Sequence, residues 1–398
     1  MKKFFLKTFG CKTNQSDSNS LKNFLLNRGW QISCENPDVC FINSCVVTRT
    51  SEKKVLKEAQ KLKQISKRVI VFGCLTPQLK ETLKEQGVEA CPVRYRSLSN
   101  GVEDEIVFSG TGPRYFLKIQ NGCSSFCSFC IVPYVRGKPV SFSPQRIFQQ
   151  LHMAKEKFKI SEIVINGTNI MKYSFENYDL LKLLEEISRQ TPARIRLTSL
   201  SLPFEKDFVR RISQIKNICP HFHISLQSAS NRILKLMKRN YTREIFEETV
   251  AWFREFFTQP AITTDVIYGF PFETDADFKK TVDFIEKIEF ARVHIFPFSP
   301  RPKTLAGLFN TIPPDVLKKR RNILKKVIDR VTRKYKQKFV NKILDVVVEE
   351  KKNGFYTGTS QNYLKVKFKG YPESCGIAKV FIEKTDAEFM WGRQVRNE

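Results

Sequence analysis

The chain has 398 residues, 41% of them hydrophobic, enough for two or three globular cores at about one domain per ~150 residues. No uncharged apolar run approaches the ~20 residues of a bilayer span, which excludes helical membrane functions and makes the cytoplasm the expected compartment. Lys and Arg outnumber Asp and Glu 68 to 40, and the resulting +28 charge favours a polyanionic partner such as RNA or DNA.

Eleven cysteines in such a chain argue for metal ligands or reactive thiols over disulfides. Four histidines are too few to favour a histidine metal site or a Ser-His-Asp hydrolase, and the chain has no phosphate-binding G-x-x-x-x-G-K-[ST] loop.

Met1–Lys7 starts like a leader, but its apolar run stops after three residues and reads better as a first strand. Residues 1–100 repeat one arrangement three times. Strand-like runs Phe4–Phe9, Asp38–Asn43 and Arg68–Phe72 end at Cys11, Cys45 and Cys74. Helical patterns follow each run, at Ser18–Arg28, Ser51–Ser66 and Pro77–Gln86. Alternating strands and helices predict a three-layer α/β domain with a parallel sheet, whose ligand crevice lies beyond the carboxyl ends of the strands. The three cysteines sit at that edge, 34 and 29 residues apart, and predict one three-cysteine cluster site. Cys34, Cys40, Cys91, Cys219 and Cys375 lack this placement and read as structural thiols.

A polar connector, Ser99–Pro113, leads to six strand-like segments: Tyr115–Gln120, Glu162–Asn166, Arg194–Ser199, His221–Leu226, Ile262–Tyr268 and Arg292–Phe298. Helical stretches such as Pro144–Lys159, Tyr178–Arg189 and Asp275–Ile288 separate them. The expected domain, residues 112–300, is a partial (βα)6 barrel with its chemistry on the loops after the strands. The first of these loops holds Cys123, Cys127 and Cys130, spaced C-x3-C-x2-C. Structural zinc sites are closed by four ligands, whereas thiolates select soft metals and iron–sulfur clusters. With no histidine or fourth cysteine nearby, this triad reads as a four-iron site whose fourth iron is open to a substrate or cofactor. His221, His223 and His294 lie within strand patterns and read as core or rim residues.

Pro300–Pro314 reads as a linker. Residues 315–342 predict a long helix with twelve basic and two acidic residues, packing through Leu317, Leu324, Ile328, Val331, Tyr335 and Phe339. Its cationic face suits phosphate contact. Residues 343–398 change to short alternating strands, with a hairpin signal at Asn353-Gly354, and predict a small β-barrel. Phe355, Tyr356, Tyr363 and Phe368 interleave there with lysines, a pattern suited to base stacking as well as to an ordinary core.

C-x3-C-x2-C after the first strand of a (βα)6 run resembles the radical S-adenosylmethionine enzymes. Almost the whole chain resembles their methylthiotransferase branch. The amino-terminal likeness lies in Phe9–Gln15, Asn43–Thr48 and Phe72–Cys74. The core likeness lies in Ile119–Cys123, Ile131–Gly137, Ser225–Ser228, Met237–Thr242 and Thr264–Pro271. The last segment is similar to the RNA-binding TRAM domain. Phe272 and Ala229 stand where that pattern usually has glycine.

The resemblance implies two 4Fe-4S clusters and S-adenosylmethionine as cofactors. Cys123, Cys127 and Cys130 would hold the radical-generating cluster, and Cys11, Cys45 and Cys74 an auxiliary one. Gln227, Arg239 and Asp265 would contact S-adenosylmethionine. Cys11–Gln15 and His294–Arg301 look most like the bacterial enzymes acting on threonylcarbamoyladenosine at adenosine 37 of tRNA. The implied partners are a tRNA anticodon stem-loop and an electron donor such as flavodoxin or ferredoxin. Alternatives are an isopentenyladenosine-directed enzyme, a ribosomal-protein-directed enzyme, and a non-catalytic iron–sulfur or zinc RNA-binding protein.

Overall fold

The computed structural model describes residues 1–91, 110–111, 113–372 and 376–395. Most of the Ser99–Pro113 connector, and Cys375, lie outside the described residues.

Strands β1 (Lys3–Thr8), β2 (Val39–Ser44) and β3 (Arg68–Gly73) form the parallel centre of a five-stranded sheet. Two-residue strands at Gln31–Ile32 and Glu89–Ala90 close its edges. Alternation along the strands divides the sheet between two cores. Phe4, Val39, Phe41, Ile70 and Phe72 pack under helix α1 (Lys12–Asn27). Cys40, Ile42, Val69 and Val71 pack under α2 (Arg49–Leu62) and α3 (Pro77–Glu85), so the domain has the expected three layers. Helix α1 starts six residues earlier than its apolar pattern predicts. Its first turns bury Thr13, Asn14, Ser16, Asp17 and Ser18 against polar partners, so polarity there did not mean a loop.

Six parallel strands follow: β4 (Arg114–Lys118), β5 (Glu162–Asn166), β6 (Arg194–Leu197), β7 (His221–Ile224), β8 (Ala261–Tyr268) and β9 (Arg292–Pro297). The third breaks in two. Residues 194–197 pair with β5, whereas Ser199–Leu200 pair with β7, so two sheets arc around one lumen. No pairing joins β9 back to β4 among the described residues, and the barrel is partial.

Helices α4 (Pro144–Lys157), α5 (Leu180–Gln190), α6 (Lys206–Ser213), α7 (Arg243–Phe256) and α8 (Asp275–Ile288) cover the outside with Ile147, Leu151, Leu184, Val209, Phe253 and Phe284. Their starts are chemically set. Ser143, Asp179 and Thr242 accept from backbone amides of the first turn, and Thr274 with Asp277 forms a reciprocal capping box.

The stretch expected to be a linker is packed instead. Arg301 is buried against Glu52, and Ala306 N donates to Ser128 O (2.8 Å). Helix α9 (Pro314–Gln337) packs through its predicted apolar face. Part of its charge is used in holding it down, since Arg320 is buried on Glu273 (2.6 Å) and Lys334 and Lys338 pair with Glu289. Lys318, Lys319, Arg321, Lys325, Lys326 and Arg333 remain exposed.

The chain ends in a closed barrel of β10 (Ile343–Lys352), β11 (Phe355–Ser360), β12 (Lys365–Lys369), β13 (Ile377–Thr385) and β14 (Met390–Gln394). Asn353 and Gly354, at φ 50° and 76°, make the predicted hairpin turn.

Candidate active site

Cys11, Cys45 and Cys74 each follow one of three adjacent parallel strands, and the register Thr8 to Asn43 and Ser44 to Gly73 aligns their ends. A buried polar network fixes that alignment. Asn14 Nδ2 donates to Asn43 Oδ1 (2.8 Å) and to Ser44 O (2.7 Å), and Asn43 Nδ2 donates to Asn14 O (2.7 Å). Gly10, at φ 103°, lets the chain pass Cys45, whose Cβ would lie 2.9 Å from any added side chain. Burial raises Cys45 and pushes Cys74 up to about 11, and Cys11 lies close enough to add to both.

The second triad sits on the loop after β4. Gly122 (φ 79°) is obligatory, because a Cβ there would meet Lys138 O at 2.0 Å. Three neighbouring segments pin the loop. Gln120 Nε2 donates to Gly122 O (2.7 Å) while its Oε1 accepts from Asn169 N (3.0 Å), and Thr168 Oγ1 accepts from Gly122 N (3.2 Å). Ser128 N donates to Met237 O (3.1 Å). These contacts explain the Met237–Thr242 motif, and the turn at 167–169 after β5, as loop holders. Burial is the main cause raising Cys130 to about 12, with Cys127 and Cys123 adding to it.

Arg136 joins the two triads. It leaves the cysteine loop on a short helix, Val132–Arg136, and is buried. Its Nε donates to Cys74 Sγ (3.1 Å), Nη1 to Asn121 Oδ1 (2.9 Å), and Nη2 to Asn14 Oδ1 (3.2 Å) and Asp17 Oδ2 (3.0 Å). Asp17 also accepts from Lys118 Nζ on β4 (2.6 Å). Arg239 plays the matching part at the other triad, donating to Cys127 Sγ (3.2 Å). A donor on one sulfur of each triad is the arrangement that tunes an iron–sulfur site.

The remaining candidates line the lumen. Gln227, at φ 65°, is bound through its backbone to Asp265 O (2.8 Å), and Asp265 Oδ2 pairs with His223 Nε2 (3.2 Å). The structure therefore brings Gln227 to Asp265, and Arg239 reaches the same strand end through Tyr241, whose hydroxyl donates to the carbonyls of Ser225 and Leu226. His221 and His223 both bond Thr263 Oγ1, at 3.2 and 3.1 Å. Burial, reinforced by Arg196 and Lys12, keeps His221 neutral. The predicted structural thiols divide: Cys40 and Cys219 are buried, whereas Cys34 is exposed.

At the base of the lumen Glu162, fully buried, takes Arg114 (2.8 Å), Arg194 (2.6 Å) and Arg196 (2.7 Å). Arg194 and Arg196 also donate to carbonyls of Asp345, Thr359, Ser360 and Gln361, which docks the carboxyl-terminal barrel. Tyr363 of that barrel enters the lumen, its ring 4.5 Å from His221 and facing Lys12, Arg114 and Arg196. It is therefore a lumen residue, and Phe368 is fully buried core. Neither is a base-stacking surface. Phe355 keeps the expected setting, with Lys367 and Lys369 at 4.8 and 5.4 Å. Trp391, missed in the sequence because it is distant in the chain, completes that face 5.7 Å from Phe355 and beneath Lys367.

The donor set fits iron–sulfur clusters. Each triad offers three thiol donors and no histidine, the soft set that iron–sulfur clusters take.

Residues 117–285 match the Radical SAM superfamily and residues 3–92 the Uncharacterized protein family UPF0004. A threonylcarbamoyladenosine tRNA methylthiotransferase MtaB of Aquifex aeolicus is 34% identical over 96% of this chain and 100% of its own. A tRNA-2-methylthio-N(6)-dimethylallyladenosine synthase of Thermotoga petrophila is 31% identical over 99% of this chain and 97% of its own. A solved radical S-adenosylmethionine methyltransferase, TsrM of Kitasatospora setae, shares the fold at a TM-score of 0.56, with 13% identity over 77% of each chain. With both matched regions in order along one chain, and alignment to such relatives over nearly its whole length, the protein belongs to the radical S-adenosylmethionine methylthiotransferase family.

Proposed function

We propose that the protein converts N6-threonylcarbamoyladenosine at position 37 of tRNA to its 2-methylthio derivative. The observation that carries this reading is the pair of three-cysteine groups, with Arg136 of the segment after Cys130 donating to Cys74 Sγ of the other group and to Asn121 Oδ1 beside its own. Cys123, Cys127 and Cys130 would hold one 4Fe-4S cluster, and Cys11, Cys45 and Cys74 a second. Bound there, the clusters supply one-electron cleavage of S-adenosylmethionine and a sulfur atom for transfer, chemistry beyond any acid–base side chain.

The chain's own residues do the rest. Gln120, Thr168 and Met237 hold the cysteine loop rigid, and Arg136 and Arg239 donate to a sulfur of each group. Asp265 and Gln227 line the lumen where S-adenosylmethionine would lie. The threonylcarbamoyl substrate is favoured by the MtaB relatives and by the basic side chains Lys12, Arg114 and Arg196 gathered around Tyr363. The electron enters from a carrier such as a flavodoxin or ferredoxin. No described helix is long and apolar enough to cross a membrane.

Nucleoside mass spectrometry of tRNA from a strain lacking the protein tests the reading. Loss of 2-methylthio-threonylcarbamoyladenosine is expected. Loss of the isopentenyl product in its place would transfer the assignment to the second class of relatives, and an unchanged profile would defeat both.

The anticodon stem-loop would lie on the face formed by Phe355, Lys367, Lys369 and Trp391, continued by the exposed lysines of α9. Base stacking is worth about 1–3 kcal/mol. Trp391→Ala is therefore expected to weaken tRNA binding about 10-fold. Lys367→Ala should lower the slope of log affinity against log salt by about 0.9. Filter binding across a salt series measures both, and unchanged affinity in both variants would remove this face from the interface.

A further inference from the structure

We propose that the base of the lumen, between Lys12 and Arg114 over the Tyr363 ring, receives a carboxylate carried on the N6 substituent of the substrate adenine. Lys12 directly follows Cys11, so it reaches into the lumen from the amino-terminal triad itself. Its ammonium lies 5.0 Å from the centroid of Tyr363, and the Arg114 guanidinium lies 5.6 Å from the same centroid. No carboxylate among the described residues pairs with Lys12. Glu162, the carboxylate beside it, is saturated. Its Oε1 accepts from Arg114 and Arg196, and its Oε2 from Arg194 and Arg196.

Unmatched donors remain at two levels of the same strand pair, beside Glu162 and four residues along β5 at Asn166. Arg114 Nη2 is buried and bonded to nothing among the described residues. Asn166 Nδ2 is in the same condition, on a residue 1% exposed whose Oδ1 accepts from Thr13 Oγ1 (3.3 Å), next to Lys12. Two buried donors, beside an ammonium bonded to the Tyr363 hydroxyl and to no carboxylate among the described residues, call for a ligand rich in acceptors. A carbamoyl oxygen and a carboxylate supply them. A hydrocarbon substituent would leave the donors unmatched, and a site built to hydrogen-bond its ligand rejects such an analogue strongly.

The inference rests on the threonylcarbamoyl reading above, and it deepens that reading by naming what recognises the substituent. The test uses the iron-loaded full chain and two anticodon stem-loops, one bearing N6-threonylcarbamoyladenosine and one its counterpart lacking only the carboxyl group. Dissociation constants are measured by fluorescence anisotropy for the wild type, Lys12→Gln and Lys12→Arg. The wild type is expected to prefer the carboxylate by about 30-fold or more, the scale of a buried charged hydrogen bond. Lys12→Gln should lose that preference while binding the decarboxylated stem-loop as before, and Lys12→Arg should keep most of it.

A wild type indifferent to the carboxyl group overturns the inference without any variant. So does a Lys12→Gln protein with wild-type iron content that weakens both ligands equally. Loss of the isopentenyl product in the deletion strain would overturn the threonylcarbamoyl reading. Loss of the threonylcarbamoyl product together with an indifferent wild type would overturn only this inference.

Discussion

Cys127→Ala is expected to abolish cleavage of S-adenosylmethionine to 5′-deoxyadenosine while leaving the amino-terminal site able to hold iron. The two triads lie on different elements and have separate supports. Cys127 belongs to the loop tied to Met237 and Thr168, whereas Cys11, Cys45 and Cys74 are aligned by Asn14 and Asn43. Removing one thiol from the loop leaves the asparagine network intact. Iron content after anaerobic reconstitution should fall from about eight to about four per chain, two four-iron clusters becoming one. A variant that still cleaves the cofactor would reverse the division of labour between the triads. A variant that loses all its iron would show the two sites to be one assembly, as the Arg136 bridge permits.

Glu162→Gln should cost the largest amount of stability of any single substitution in the barrel. Glu162 is fully buried and is shared by three guanidinium groups. Removing one partner of a buried ion cluster leaves uncompensated charge and costs about 3–5 kcal/mol. The effect extends beyond the barrel, because Arg194 and Arg196 also carry the contacts to the carboxyl-terminal barrel.

Burial opposes the charge on Glu162, but Arg196, Arg114 and Arg194 outweigh it and hold its carboxyl well below the usual range. Burial also opposes the charge on all three partners. It prevails at Arg194, whereas Arg114 and Arg196 are raised by opposite charges. Since the folded pKa of Glu162 is depressed, its contribution is fully present above the ordinary glutamate range near pH 4.5 and is lost as pH falls through the folded value. Guanidinium unfolding at neutral and acid pH should show a variant deficit that narrows as the wild type loses this term. A deficit under about 1 kcal/mol at neutral pH would mean that water replaces the carboxylate without strain.

Much of this protein was legible one residue at a time. Strand β5 was read to its exact limits because both faces are buried and apolar runs of that length between helices are characteristic of parallel sheets. Helix α8 was read as cleanly, to the limits Asp275–Ile288. Cys11, Cys45 and Cys74 could be grouped because thiols at equivalent strand ends share an edge, and Cys123, Cys127 and Cys130 because they lie within eight residues of one loop. The start of α1, the packed stretch after residue 300 and the aromatic residues of the last barrel were misread for one physical reason. In each, a polar or aromatic side chain has its partner more than a hundred residues away, as with Thr13 on Asn166, Arg301 on Glu52 and Tyr363 on His221.

The sequence by itself determined the fold class, the two cysteine groups and the basic character of the carboxyl-terminal part, because local spacing and composition carry those properties. Only the tertiary structure decided that Arg136 ties the cysteine groups together and that the last barrel sends Tyr363 into the lumen. It alone left Lys12 there without a carboxylate partner among the described residues. These are pairings of buried charge, and whether a buried charge is satisfied depends on what the fold places within about 4 Å of it, which no local pattern records.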